Sequence, residues 1–165
     1  MKDLERNLDS SIAGAEILLI GAGGAARGIL HPILSRNIGR LVLTNRTLSR
    51  AEDLAILAKG AKVQTCAFED ISGSFDLVIN ATATSLTGVL PDISNQVFHP
   101  RSIAYDLAYS DQPTAFMRWA MSAGAASAVD GLGMLVEQAA ESFWIWHQKR
   151  PDTGVVIDEL RSGVR

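Results

Sequence analysis

Apolar residues in this chain fall into short, nearly unbroken runs set between stretches that repeat at helical spacing. Residues 15–21 form one such run and 41–44 another, and a strand that is apolar on both sides is one covered on both sheet faces. Runs at 62–68, 75–80, 102–107 and 127–130 predict further strands. Helices are expected between them. One spans 24–35, where Pro32 removes a hydrogen bond. Another spans 47–59, capped by Thr47, stopped by Gly60, and turning Leu54, Leu57 and Ala58 inward. A third spans 113–122 and stops near Gly124. A long helix is expected over 131–148, with Leu132, Leu135, Val136, Ala139 and Phe143 at helical spacing, and a closing helix over 155–160 after Pro151. The longest irregular piece is 86–100, and loops of that length often serve a site.

Strands alternating with helices imply right-handed crossovers and an α/β fold, a doubly wound parallel sheet in a Rossmann-type three-layer α/β/α arrangement. The chain has 165 residues. That length fits one domain and buries roughly 70% of its unfolded surface. No repeat or linker divides it, so 1–165 is expected to be a single domain. A net charge of −3 offers no basic field for nucleic acid. The lone cysteine, Cys66, excludes an internal disulfide framework. No run reaches the ~18 apolar residues of a membrane span, and the charged start lacks a signal-peptide core, so a soluble, cytoplasmic setting is expected.

Chemistry concentrates where the first strand ends. Gly21-Ala22-Gly23-Gly24-Ala25-Ala26 follows it and opens the next helix. Gly21 and Gly23 take the first two positions of the G-x-G-x-x-G/A pattern and Ala26 the third. Gly21 permits the tight turn, Gly23 leaves room for a pyrophosphate, and Ala26 lets helix and strand pack closely. The helix that follows points its free N–H groups and positive dipole end at that anion. The plainer reading is a turn glycine with no ligand, and flavin and methyl-donor binders use similar turns.

The tip of the second strand narrows these alternatives. An NAD binder places an acidic residue there to accept the ribose 2′-hydroxyl. Here Asn45 is followed by Arg46 and Thr47, and Arg50 returns to the same side of a helix that starts near Thr47. Two guanidinium groups suit a 2′-phosphate that a carboxylate would repel. The opposing reading is a pair of solvated helix-face arginines.

Taken in order, Gly21-Ala-Gly-Gly-Ala-Ala-Arg27, Asn45-Arg-Thr-Leu-Ser-Arg50, Asn80-Ala-Thr82, Tyr105-Asp-Leu-Ala-Tyr109 with Thr114, and Asp130-Gly-Leu-Gly-Met-Leu-Val-Glu-Gln138 closely resemble the shikimate dehydrogenase family, specifically its C-terminal NADP-binding half. The match runs from about Asp3 to the C-terminus. The resemblance implies NADP as cofactor and hydride transfer between NADPH and 3-dehydroshikimate, giving shikimate in aromatic amino acid biosynthesis. It implies that Gly21, Gly23, Gly24 and Ala25 cradle the pyrophosphate, with Ala22 in the same turn, and that Asn45, Arg46, Thr47 and Arg50 hold the ribose phosphate. Leu107, Gly131 and Met134 would line the nicotinamide pocket, Thr82 would belong to the cofactor site, and Tyr109 and Gln138 would face the substrate. Gly131 and Gln138 are seven residues apart, so they share one helix face with Met134 nearby.

The family's substrate half, which supplies a lysine and an aspartate for proton transfer, has no counterpart here. None of the lysines Lys2, Lys59, Lys62 and Lys149 sits in such a motif. The expectation is a substrate-binding N-terminal domain absent from this chain, no catalytic residue within it, and negligible turnover alone. A quinate-type dehydrogenase and a stand-alone NADP-binding module are the alternatives.

Two departures from the family pattern stand out. In Asn80-Ala-Thr-Ala-Thr-Ser85, Ala83 replaces a serine and Ser85 a glycine, which puts a turn near the nicotinamide in question. Asp111 stands where a proline commonly follows. Of the remaining polar groups, His31, His99 and His147 show no ligand spacing to one another or to Cys66, so no metal is expected. Ser85 and Ser110 lack a histidine–acid partner. Trp119, Trp144 and Trp146 fall on helices and suit core or interface packing. Asp106 either holds loop backbone near the nicotinamide or caps a helix.

Overall fold

The computed structural model describes residues 2–7, 11–58 and 63–163. Strands β1 (Glu16–Ile20), β2 (Arg40–Thr44), β3 (Val63–Cys66), β4 (Leu77–Asn80), β5 (Ile103–Asp106) and β6 (Ser127–Val129) form one six-stranded sheet in the order β3-β2-β1-β4-β5-β6. Every pairing is parallel. Helices α1 (Lys2–Asn7), α2 (Gly24–Leu34), α3 (Leu48–Ile56), α4 (Ala115–Ser122), α5 (Leu132–His147) and α6 (Thr153–Ser162) complete the doubly wound, Rossmann-type α/β/α sandwich.

Side chains alternate across the sheet, and both faces are buried. On one face Ile17, Leu19, Leu41, Leu43, Leu77 and Ile79 pack against Ala26, Leu30 and Ile33 of α2 and Ala51 and Leu54 of α3. On the other, Leu18, Ile20, Val42, Val78 and Ala104 meet Phe116 and Ala120 of α4 together with Ile93, Val97 and Phe98. This double burial is why the strands read as unbroken apolar runs.

Several expectations change. Helix α1 carries no strong sequence signal, yet it docks through the buried Leu4 and Asp3, the Lys2–Glu141 pair at 2.8 Å and the Arg36–Glu5 pair at 2.5 Å. Helix α3 ends at Ile56, with Leu57 exposed while Leu54 and Ala58 are buried. The expected stop at Lys59 and Gly60, and Lys62 at the start of the third strand, lie outside the described residues. Thr47 precedes α3 without a side-chain cap; its carbonyl instead accepts from Asn45 Nδ2 at 2.9 Å. The second half of the long loop is packed: Val97 and Phe98 are buried, and Trp119 Nε1 donates to Asn95 Oδ1 at 2.6 Å. Phe98 and Trp119 meet edge to face at 5.0 Å.

The largest difference lies in α5. Its buried positions are Gly133, Val136 and Ala140, whereas Leu135, Ala139 and Phe143 point outward. The helix ends where Gln148 turns left-handed (φ 54), and Pro151 precludes resumption before α6.

Candidate functional site

In an open parallel sheet the chain departs in opposite directions from β1 and β4, and this opens a crevice at their carboxyl ends. Gly21 lies at that point. Its φ of 109° is left-handed, its N–H donates to Thr44 O at 2.7 Å, and a Cβ there would sit 3.1 Å from the Ala81 backbone. Only glycine passes through such a turn without strain. A Cβ on Gly23 or Gly24 would meet no protein atom within 4 Å, so the space beside them is open. Gly23 starts α2 with no side-chain cap, and the first turn holds no acidic residue. The free N–H groups and positive end of an eleven-residue helix therefore face an open crevice, an arrangement that holds an anion.

The tip of β2 adds cationic groups. Asn45 is half-buried and pinned locally by its bond to the Thr47 carbonyl. The side chains of Arg46 and Arg50 are exposed and have no ion pair or hydrogen bond among the described residues. A second anionic group next to the glycine turn would find both guanidinium groups available.

The tips of β4 and β5 are tied together beneath the crevice. Asp106 is fully buried and accepts from Asn80 Nδ2 at 3.0 Å, Thr114 Oγ1 at 2.6 Å and the Ala108 backbone N–H at 3.2 Å. Asn80 Oδ1 in turn accepts from Thr82 Oγ1 at 2.7 Å and the Thr82 N–H at 3.1 Å. Thr114 caps α4 by accepting from the Met117 N–H at 3.2 Å. Asp106 thus holds loop backbone and orients a helix cap at once. Helix α5 begins against the same edge: Gly131 N–H donates to Ala108 O at 2.9 Å, and a Cβ on Gly131 would collide with the Leu107 carbonyl.

Helices α1, α2 and α5, with Leu107 after β5, bound a cleft of about 680 Å³ whose walls include Lys2, Gly24, Ala25, Ile29, Met134, Gln138 and Glu141. A smaller cavity of about 370 Å³ lies at the opposite, amino edge of the sheet between Gly14, Asp76 and Arg101, and holds none of the motif residues.

The sequence model of the Shikimate / quinate 5-dehydrogenase family matches residues 3–109, and that of the Shikimate 5′-dehydrogenase C-terminal domain matches 131–161. The chain belongs to the shikimate/quinate dehydrogenase family. It is 52% identical over 98% of its length to a protein of Herminiimonas arsenicoxydans named shikimate dehydrogenase (NADP(+)), and covers 59% of that protein. A relative of the same name from Marinobacter nauticus is 46% identical over 98% of this chain, which covers 60% of it. The crystal structure of an Ael1 enzyme from Pseudomonas putida superposes with a TM-score of 0.90 at 41% identity, over 96% of this chain and 59% of that one. The chain therefore spans about three-fifths of the relatives it matches.

Within this family frame the motif residues sit in distinct places. Gly24, Ala25, Leu107, Met134 and Gln138 converge on the large cleft. Gly21 and Gly131 are buried, Ala22 and Thr82 are half-buried, and none of the four lines that cleft. Arg46, Thr47 and Arg50 form a separate exposed group at the β2 tip. Tyr109 lies outside the cleft lining and is half exposed. The turn in question between Asn80 and Gly88 is made by a 3-10 turn over Thr84–Thr87, with the positive φ falling on Gly88 (79°).

Sequence reasoning missed the polar links that position this edge. The Tyr105 hydroxyl donates to the buried Asp3 carboxylate, joining β5 to α1. Burial, with the Asp3 carboxylate next, pushes the Tyr105 phenol far above its usual range. Asp130 Oδ1, at the end of β6, accepts from Arg161 of α6 at 3.0 Å. Glu141, exposed on α5, binds Lys2 at 2.8 Å and Arg150 at 3.0 Å, and these cations hold its carboxyl below the usual 4.5.

Proposed function

We propose that this chain is the cofactor-binding part of an NADP-dependent shikimate dehydrogenase, positioning NADPH for hydride transfer to the carbonyl of 3-dehydroshikimate. The observation that carries the reading is the pair Arg46 and Arg50, exposed and without an ion pair or hydrogen bond among the described residues, standing where an NAD binder would present a carboxylate. The names of its relatives support the same nucleotide. When bound, the nicotinamide supplies the hydride.

Everything else falls to the chain's own residues. The α2 N-terminus and the open backbone at Gly23 and Gly24 fit a pyrophosphate. Asn45, Arg46, Thr47 and Arg50 fit a phosphorylated adenosine ribose. Leu107, Gly131 and Met134 present an apolar wall for the nicotinamide ring, and the Asn80–Asp106–Thr114 network keeps that wall from shifting. Gln138 and Tyr109 reach toward the substrate. None of these groups is placed to move the alcohol proton, so the chain alone binds NADP and turns over negligibly.

Calorimetry of the purified chain with NADP and with NAD tests this. Saturable binding of NADP at least tenfold tighter than NAD is expected. Equal affinity would favour a quinate-type enzyme, and absence of any complex would refute the cofactor assignment. Normal shikimate oxidation by the chain alone would refute the claim that it carries no proton-transfer group.

A further inference from the structure

Open α/β sheets bind their ligands at the carboxyl ends of the strands, and loops at the amino edge commonly do no more than connect elements. The amino edge of this sheet carries a cavity of about 370 Å³. Its floor is apolar: Leu4, Ile12 and Leu77 are buried, with Ile103 half-buried beside them. Leu77 and Ile103 are register partners on β4 and β5, so their side chains stand on the same sheet face.

The walls add one acid and one base, Asp76 and Arg101. Both are carried on backbone that is tied down. The Asp76 N–H donates to Glu16 O at 2.9 Å, and the Asp76 carbonyl accepts from the Ile103 N–H at 2.8 Å. Arg101 sits in a turn anchored by the fully buried Ser102, whose hydroxyl donates to Phe75 O at 2.6 Å and accepts from the His99 N–H at 2.8 Å. The segment 11–15 closes the remaining side, with the Ala15 N–H on Ile12 O at 3.1 Å and the Gly14 N–H on Asn37 O at 3.0 Å. A ligand would meet a site formed in advance.

The two charges are open to a ligand in different degrees. The Arg101 side chain is exposed and has no ion pair or hydrogen bond among the described residues. Asp76 Oδ2 accepts from the Glu16 N–H at 2.9 Å, Oδ1 lies 3.4 Å from His99 Nε2, and 48% of the side chain remains exposed. Glu16 and Arg40, the next charged pair along this edge, bind each other at 2.5 Å. A monoanion drawn to Arg101 would be repelled by Asp76, and a monocation drawn to Asp76 would be repelled by Arg101. A molecule that bears both charges beside an apolar body satisfies acid, base and floor together.

We infer that this cavity binds a zwitterionic α-amino acid with an apolar side chain, its carboxylate on Arg101, its ammonium on Asp76 and its side chain on the apolar floor. A guanidinium can hold a carboxylate through two parallel hydrogen bonds. The volume corresponds to about twelve water-sized groups at ~30 Å³ each, enough for a branched or monocyclic aromatic side chain. The glycine turn lies at the other edge of the sheet, so this site is independent of the nucleotide reading.

The test titrates the isotope-labelled chain with L-phenylalanine and L-leucine, and with phenylacetate and phenethylamine, each of which keeps one of the two charges. Saturable shifts of the Ile12, Ala13, Leu77 and Ile103 amides are expected with the amino acids, at a Kd of about a millimolar or tighter. Both single-charge analogues should bind at least fivefold more weakly. Arg101→Gln and Asp76→Asn should each weaken L-phenylalanine at least fivefold, and Ala13→Trp, which fills the cavity from an exposed position, should abolish its binding. Should a variant fail to fold, the analogue series on the unaltered chain decides. Phenylacetate or phenethylamine binding as tightly as L-phenylalanine, shifts confined to residues outside the cavity, or no saturation by either amino acid would each overturn the inference. Saturating NADP should leave the amino-acid Kd unchanged; competition would move the ligand to the opposite edge and overturn it as well, whereas loss of NADP binding with the amino acid still bound leaves this site standing.

Discussion

The glycine turn of β1–α2 and the outer half of α5 are built from similarly apolar sequence, yet one is finished and the other is not. Around β1 each apolar residue is enclosed: Ile17, Leu18, Leu19 and Ile20 are fully buried, and Gly21 takes the tight left-handed turn that leads into an open crevice. On α5, one side is packed and the other presents Leu135, Phe143, Ile145 and Trp146 to solvent. Unfilled space at the first region is room for a ligand. Uncovered apolar surface at the second is suited to a protein contact and not to an anion. Physical chemistry separates the two because a phosphate needs unpaired donors and positive charge, while a protein face needs apolar area.

The comparison can be broken most forcefully beneath the crevice. Asp106→Ala leaves Asn80, Thr114 and the Ala108 N–H short of an acceptor in a buried place, and a loss of about 3 kcal/mol is expected. Thermal unfolding should show a Tm roughly 6–12 °C lower. A change under 2 °C would mean that the network does not hold the strand tips. At the β2 tip, Arg46→Ala should weaken NADP by about 2 kcal/mol, roughly 30-fold, with NAD unchanged. Equal losses for both nucleotides in a calorimetric titration would remove the phosphate role.

Acid sharpens the contrast on the α5 side. The carboxyl of Glu141 is held below 4.5 by Lys2 and then Arg150, so its contribution is complete above 4.5 and disappears as pH falls through its lowered value. Protection factors of the α1 amides, corrected for the intrinsic exchange rate, should therefore fall on acidification below the usual carboxylate range, and less so in high salt, where such exposed pairs are already screened. The smallest effect is the most diagnostic. Trp146→Ser in the chain by itself should change stability by under about 0.5 kcal/mol, because little of that side chain is covered. A Tm loss of several degrees would show that the residue is already packed.

Much of the fold was legible because its cause is local. Unbroken apolar runs at β1, β2 and β4 report burial on two faces, and the glycine at 21 reports a tight turn, whereas the close approach of Gly131 to the Leu107 carbonyl appears only in the folded chain. Arg46 and Arg50 were readable as a pair from their spacing alone. The helical spacing of Leu135, Ala139 and Phe143 gave the right element and the wrong face, since periodicity reveals that a stripe exists but not which body covers it.

By itself, the order of residues determined the α/β class, the six strands, the glycine turn and the cationic tip of β2, because each follows from backbone geometry or from neighbours within a few positions. Only the folded chain decided the rest. Asp3 meets Tyr105 across 102 positions, Asn80 meets Asp106 across 26, and Lys2 reaches Glu141 across 139. Such partners carry no periodic signature; they are chosen by the sheet order and by which helices come to lie side by side, and so does the side of α5 that is left bare.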